Sequence, residues 1–445
     1  MENRVLHNFD HDGTRVIRVT FRDDDNQPMR TSKTSKSLIE RTLGDYMRNG
    51  VLVADRWFGY LGSSNSQMRD SGAYFLEKYS RSQLRAYIEK YQRSPPPQWH
   101  PKIIHTREQL GRFENLESIP KLMARLGQCF TQSKTTTIPL KREQYYTLYD
   151  FVGGSNTKNK EYTFSDGVGM ISNGFASEIA KDMSLGDCVP SCYQFRFRGM
   201  KGVVAVNPLL DEIASWAKNN AIPPPTWQFG NWDLKLVFRP SQIKFNAART
   251  SNDSLEIVKY SAPVPVSLNK PFICILDQVS EKQSYECHIR VTSRIEELLD
   301  LQLRSMARTM LREHDCRNKL KELPRRIDID SLSVVCGFQL STEPFFRSLI
   351  KATIKYSVTK QMHETGLLQY GQVFVQYTEN IHLKTPPPQA SKKILTGKVL
   401  LTKNPCIVAG DVRVFDAVDI PDLRHLCDVI VFPIHGPRPH PDEMA

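Results

Sequence analysis

Hydrophobic and polar residues alternate over residues 15–21, placing Val16, Arg18 and Thr20 on one face and Arg15, Ile17, Val19 and Phe21 on the other. This period-two pattern predicts a β-strand, and an acidic turn, Asp23-Asp24-Asp25, follows it. Helical patterns cover 82–91 and 119–126, and between them Ser94-Pro-Pro-Pro predicts an extended connector. The Ser/Thr-rich stretch 131–137 predicts a flexible joint, with a boundary near residue 130. From Tyr162 the pattern becomes β-rich, with runs at 163–172, 191–206 and 234–245 joined by Gly and Pro turns, and Pro223-Pro-Pro before the last. Residues Ile295, Leu298, Leu299, Gln302, Leu303, Met306 and Met310 recur at three- and four-residue spacing, predicting a helix over 293–320 with its stripe toward a core. After a further proline spacer, Pro386-Pro-Pro, short β runs at 399–401, 411–418 and 429–432 have the texture of a small barrel whose loops carry chemistry.

A chain of 445 residues is long enough for about two to four such domains. Sixty Lys and Arg against 48 Asp and Glu give a formal net charge of +12. That balance favours a polyanionic partner; ordinary basic-protein solubility is the alternative. The nine cysteines are scattered, odd in number and free of CxxC pairs, which fits reduced thiols. Cys188 and Cys192 form a lone CxxxC with no neighbouring His, too little for zinc. Neither a signal-peptide core nor an apolar run of about 18–20 residues occurs, so an intracellular protein, cytoplasmic or nuclear and without membrane contact, is expected.

The cations fall into groups. Arg196, Arg198 and Lys201 crowd one predicted hairpin, with Gly199 and Gly202 flanking Lys201 so that a phosphate or another backbone could approach closely. Arg239, Gln242 and Lys244 can point into one groove. The competing view of the first group is a solvated strand face, since Tyr193, Phe195 and Phe197 alternate with Gln194, Arg196 and Arg198. Lys403 and Arg413 are the analogous cations near the C-terminal end, and Arg438 could steady a phosphate or the loop beside it. His440, between two prolines, is either a rigid turn element or a general acid. Among the acids, Asp416 is in phase with Val412, Val414 and Val418, which predicts that it lies on a packed face with a partner. Magnesium instead wants carboxylates converging from one tight loop, so no metal site is assigned to Asp411, Asp416, Asp419, Asp422 or Asp428. Asp442 and Glu443 could at most assist from outside the first coordination sphere. No phosphate-loop, dinucleotide, nucleophile-elbow or zincin motif occurs.

Several blocks together resemble the cellular RNA-dependent RNA polymerases of RNA silencing. They are Asn3-Arg-Val-Leu, Trp57-Phe-Gly-Tyr-Leu-Gly-Ser-Ser-Asn-Ser-Gln-Met-Arg, the three β-rich runs, Gly366-Leu-Leu-Gln-Tyr-Gly-Gln-Val-Phe-Val-Gln and the terminal residues 398–445. The resemblance implies an α+β fold of two double-psi β-barrels, the second incomplete, joined by a helical connector and preceded by a mixed α/β N-terminal region. The corresponding divisions are 1–130, 131–290 for the first barrel, 291–340 for the connector and 341–445 for the second barrel. By the same resemblance Lys201 and Lys244 match catalytic-centre lysines that contact nucleotide or template phosphates. Arg196, Arg198, Arg239, Gln242, Lys403 and Arg438 are the expected supporting RNA or nucleotide contacts.

The implied activity is copying of single-stranded RNA into complementary RNA from nucleoside triphosphates, with Mg2+ as cofactor. Helicase, nuclease and Argonaute proteins are the expected pathway partners. The family's magnesium ligands lie in an Asp-rich loop expected beyond Ala445, so no metal ligand is expected within this chain and, taken alone, it is expected to be inactive. His363-Glu-Thr-Gly stands where Asp-Glu-Thr-Gly is usual, 354–362 is short, and Asn269-Lys-Pro replaces the usual Asn-Arg-Gln. A truncated, non-catalytic RNA-binding or scaffold relative is the alternative.

Overall fold

The computed structural model describes residues 3–23, 36–92, 100–114, 116, 118–223, 232–247, 254–263, 270–321, 337, 339–353, 368, 370–379, 389–403, 406 and 408–443. Ser94-Pro-Pro-Pro, most of Pro223-Pro-Pro, Pro386-Pro-Pro, Asn269, the 354–362 stretch and His363-Glu-Thr-Gly lie outside them. The fold is mixed α+β, and the chain forms two compact units built from discontinuous pieces. One is Met1–Thr147, Tyr193–Val204 and Ala214–Lys259; the other is Leu148–Cys192, Ala205–Ile213 and Tyr260–Ala445.

In the first unit, the alternation near the start becomes the strand Val16–Thr20. It pairs antiparallel with Gly72–Tyr79, which pairs with Arg56–Gly62, and Val51–Val53 completes the sheet. Both faces are covered, as the nearly continuous burial of Gly72–Tyr79 requires. On one side Val16, Leu61, Tyr74 and Leu76 meet Val5, Ile103, Leu126 and Phe130. On the other Phe58 and Phe75 meet Ile17, Val19 and Phe21. The Tyr74 and Phe130 rings stack with centroids 5.5 Å apart. Burial of each such side chain stabilises by roughly 1.5–3 kcal/mol. The helices Arg81–Tyr91 and Ile119–Leu126 form where the spacing predicts them. Ser80 starts the former, its hydroxyl accepting from the Gln83 N–H while the Gln83 side chain returns to the Ser80 N–H.

The Ser/Thr stretch is not a flexible joint. Its Thr-rich half is the strand Lys134–Pro139, antiparallel to Ser254–Tyr260. Thr136 is buried, and the buried Ser133 donates from its hydroxyl to Glu256 at 3.2 Å. Threonine is β-branched and suits a half-buried strand; composition had suggested a linker because it ignores the strand waiting to pair. The order continues from Lys134–Pro139 and Ser254–Tyr260 to Cys192–Phe197 and Met200–Val206. Leu236–Phe238 runs parallel to Tyr145–Thr147.

The second unit contains the hairpin Val152–Ser155 with Glu161–Thr163, the strand Val168–Ile171 and the helix Asn173–Asp182. The long predicted helix is two: Tyr285–Leu311 and Glu313–Lys321. Arg312 between them is extended, and Glu313 accepts from the backbone N–H groups of Leu340 and Ser341 at 3.0 and 2.9 Å. A curled five-stranded sheet gathers the C-terminal runs. Gln372–Thr378 pairs at its start with Val412–Ala417 in parallel, and further along with Lys392–Ile394 and Val429–Val431, both antiparallel. Gly397–Thr402 flanks Val412–Ala417, and Val373, Phe415, Ala417 and Phe432 form the core. Among the described residues no helix is long and apolar enough to cross a membrane.

Candidate phosphate-binding site

The site in the first unit begins with a two-residue turn. Cys192–Phe197 and Met200–Val206 are joined through Arg198 and Gly199, whose φ values are 45° and 79°. Positive φ at both central positions is the turn that matches strand twist, and it normally selects Asn-Gly. Gly199 meets the demand at no cost. Arg198 does so against its steric preference, with its guanidinium donating to the Tyr145 hydroxyl at 2.7 Å. A Cβ on Gly199 would lie 1.9 Å from the Phe245 carbonyl oxygen. The Lys244 N–H also donates to the Gly199 carbonyl at 3.0 Å, which latches the Lys244 segment to the turn.

A two-residue turn sets Arg196 opposite Lys201. Arg196 is only 6% exposed, so this strand has no solvated face. Burial pushes its guanidinium down to about 10, against the pull of Glu256, with Arg4 adding to the fall. Glu256 is itself buried and accepts from the Arg4 guanidinium. Among the described residues the Arg196 Nε has no hydrogen-bond partner, while a terminal nitrogen donates to the Phe195 carbonyl at 2.8 Å. Lys201 reaches solvent, yet nearby protein atoms strip part of its hydration. That burial lowers its affinity for a proton, and the charges of Arg196, Lys244 and Arg125 lower it further. Arg4, Arg125, Arg196, Lys201 and Lys244 thus share one neighbourhood, where Glu256 supplies negative charge.

Arg125 has no sequence signal of this kind. In the last turn of Ile119–Leu126 it reads as an ordinary complement to the helix dipole. Its placement comes from the core, because Leu126 packs in the same cluster as Val5 and Phe245, the neighbours of Arg4 and Lys244.

The other expected contacts separate. Arg239 and Gln242 do not point into a groove; both are buried. The Gln242 side chain accepts from the Arg239 N–H at 2.8 Å and donates to the Val203 carbonyl at 3.0 Å, bracing the turn Pro240–Gln242 on the neighbouring strand. Lys244 donates to the Ser241 carbonyl and stays half-buried. Arg198 lines an open cavity of about 750 Å³ with His105, Gln109, Arg112 and Asn246.

Lys403 and Arg438 belong to the second unit, where both hold the segment leading to His440–Glu443. Lys403 Nζ donates to the Pro441 carbonyl at 2.9 Å, and Arg438 donates to the Asp442 carbonyl. His440 is a buried anchor. Its Nε2 accepts from the Gly371 N–H at 2.9 Å, and its ring lies 4.2 Å from Tyr370 and 4.7 Å from Phe415. Four acids of the terminal block have local partners. Asp416 pairs with Lys398 at 2.8 Å, but on a face where Val414 is exposed and not packed, because Phe415 and Ala417 on the opposite face take the core. Asp419 pairs with Arg424, Asp428 with Thr378 and Asp411 with the Val408 N–H. Among the described residues no group of three His, Cys, Asp or Glu side chains could hold a metal ion.

The family model for RNA dependent RNA polymerase matches residues 1–445. The chain belongs to that family. It is 29% identical over 479 residues to a probable RNA-dependent RNA polymerase 1 of Oryza sativa subsp. japonica, covering 100% of this chain and 55% of that protein. It is 30% identical over 477 residues to RNA-dependent RNA polymerase 1 of Arabidopsis thaliana, covering 100% and 37%. Among solved structures it is similar to the RNA dependent RNA polymerase QDE-1 from Thielavia terrestris, with a TM-score of 0.63, 18% identity, and coverage of 99% of this chain and 48% of that one. The chain therefore spans about half or less of the length of these relatives.

Proposed function

We propose that the chain is the part of an RNA-silencing RNA-directed RNA polymerase that holds RNA and nucleotide phosphates while single-stranded RNA is copied into complementary RNA. The observation that carries this is the convergence of the buried Arg196, Lys244 and Arg125 on Lys201, in a chain matched end to end by the polymerase family. Fixed cations in a partly dehydrated site hold phosphate oxygens more strongly than the same charges in water. Lys201 and Lys244 are the direct contacts. Arg196 adds its charge across the hairpin from Lys201, and Gln242 and Arg239 brace the turn that carries Lys244. In this reading the two β-rich regions are double-psi barrels.

Magnesium-dependent nucleotidyl transfer is the reaction of the family, but no step through magnesium is derived from these residues. A second reading is that these 445 residues bind RNA without chemistry. Incubation with a single-stranded RNA template, labelled nucleoside triphosphates and Mg2+ separates the two: retention of template without incorporation supports RNA binding alone, and incorporation eliminates it. The phosphate site itself is tested by the double variant Lys201→Ala, Lys244→Ala. Loss of two phosphate contacts flattens the plot of log affinity against log salt by about 1.4, and an unchanged slope and affinity would reject the site.

A further inference from the structure

The second unit carries an aromatic and basic surface made of residues other than those of the phosphate site. Tyr149 is 90% exposed, and Leu148, Phe151 and Val152 beside it are also exposed. They stand at the root of the hairpin Val152–Ser155 with Glu161–Thr163. Exposed rings on a loose tail would mean little, but this backbone is fastened. The fully buried Ser165 accepts from the Phe151 N–H and donates to Asp150, both at 2.8 Å, and the Phe151 carbonyl accepts from the Phe164 N–H at 2.7 Å.

The tip is also ordered. The Asn156 side chain accepts from the N–H groups of Lys158 and Lys160 at 2.9 and 3.1 Å, which holds two exposed lysines at one end of the hairpin. On its flank, Gly154 has a φ of +57°, and a Cβ there would lie 2.2 Å from the Pro437 carbonyl oxygen. The hairpin is therefore seated against that segment, where the Arg438 guanidinium lies 5.8 Å from the Tyr162 ring centroid. From root to tip the hairpin runs roughly 15 Å at 3.3 Å per residue, room for several nucleotides of a single strand.

We propose that this hairpin, with Tyr149 and Phe151 at its root, Lys158 and Lys160 at its tip and Arg438 on its flank, is a second binding surface for single-stranded RNA. Cations track a sugar-phosphate backbone, and a solvent-facing ring beside a fastened backbone offers a stacking platform that accepts any base. Duplex RNA has no unstacked base to offer Tyr149 and gains only the charge contribution. A purely apolar protein partner would leave both tip lysines and Arg438 to be desolvated without compensation. The identity of the ligand rests on the polymerase reading above; the pairing of flat ring and cation rests on the hairpin alone.

The test is fluorescence anisotropy of a single-stranded RNA of about 20 nucleotides with the full chain. Tyr149→Ala is expected to weaken binding about tenfold, and Tyr149→Phe to leave it near wild type, as stacking requires. Lys158→Ala with Lys160→Ala is expected to flatten the salt dependence by about 1.4. Affinities within twofold of wild type for Tyr149→Ala, with Lys201→Ala, Lys244→Ala still weakening binding, would overturn this surface and leave the phosphate site standing. If no variant changes the affinity, both assignments fall. Self-association in sedimentation that Tyr149→Ala abolishes, with RNA affinity unchanged, would assign the face to a second copy of the chain and overturn the proposal as well.

Discussion

The carbonyl oxygen of Phe245 lies where a Cβ on Gly199 would come within 1.9 Å, so the Arg198–Gly199 turn and the Lys244 segment touch backbone to backbone. The contact fixes the distance between the strand carrying Lys201 and the segment carrying Lys244. Gly199→Ala introduces a methyl into that contact and also occupies a left-handed φ of 79°. The expected loss is about 2–4 kcal/mol of stability, measured by urea unfolding. A shift in midpoint below the uncertainty of the measurement would show that the two segments can separate freely.

Lys201 holds its proton less tightly than ordinary lysine, first through burial and then through the charges of Arg196, Lys244 and Arg125. A lowered pKa means a larger neutral fraction at any pH below 10.5, and the neutral amine is the nucleophile. Timed acylation at mildly alkaline pH, read by peptide mass spectrometry, should modify Lys201 ahead of the exposed Lys158, and single-stranded RNA should protect it. The positive charge it offers RNA is correspondingly lost as pH rises through the lowered pKa. Slower labelling of Lys201 than of Lys158 would contradict this.

Glu313 titrates in the opposite sense. Burial alone would raise its pKa, but hydrogen bonds from Ser341 and the Leu340 N–H outweigh that and hold it below the usual carboxylate range. Its contribution is therefore present above the unfolded value near 4.5 and is lost as pH falls through the lower folded value. Glu313→Gln should flatten the acid limb of a stability-against-pH curve. Parallel acid limbs for variant and wild type would remove Glu313 from that linkage.

His440 fills a pocket of rings and accepts from the Gly371 N–H at 2.9 Å. His440→Ala should cost about 2–4 kcal/mol, since it opens a cavity and leaves a half-buried N–H without this acceptor. His440→Phe keeps the packing and should cost only about 1–2 kcal/mol. Thermal unfolding distinguishes them, and equal losses would place the whole effect in the hydrogen bond.

Much of the architecture was legible because it follows from local periodicity. The strand Val16–Thr20, the helix Ile119–Leu126 and the β runs of the terminal block appear where alternation and spacing put them. The errors came where a partner strand or a break overrode composition. The Thr-rich strand Lys134–Pro139 was misjudged because Ser254–Tyr260 lies more than a hundred residues away. The long helix divides at Arg312, next to the Glu313 side chain that receives Leu340 and Ser341. Arg239 and Gln242 fit the pattern of a groove, but their burial depends on Val203 and on the core around them.

The sequence by itself determined the family, the excess of positive charge, and the lysines worth attention, because motifs and composition survive without any knowledge of contacts. Tertiary structure alone decided which cations share a neighbourhood. It brought Arg125 toward Lys201 through Leu126 in a shared core, buried Arg196 beside Glu256, turned Arg198 toward Tyr145 and committed His440 to packing. Those outcomes depend on distances between residues far apart in the chain. Charge and desolvation act through such distances, and linear spacing does not encode them.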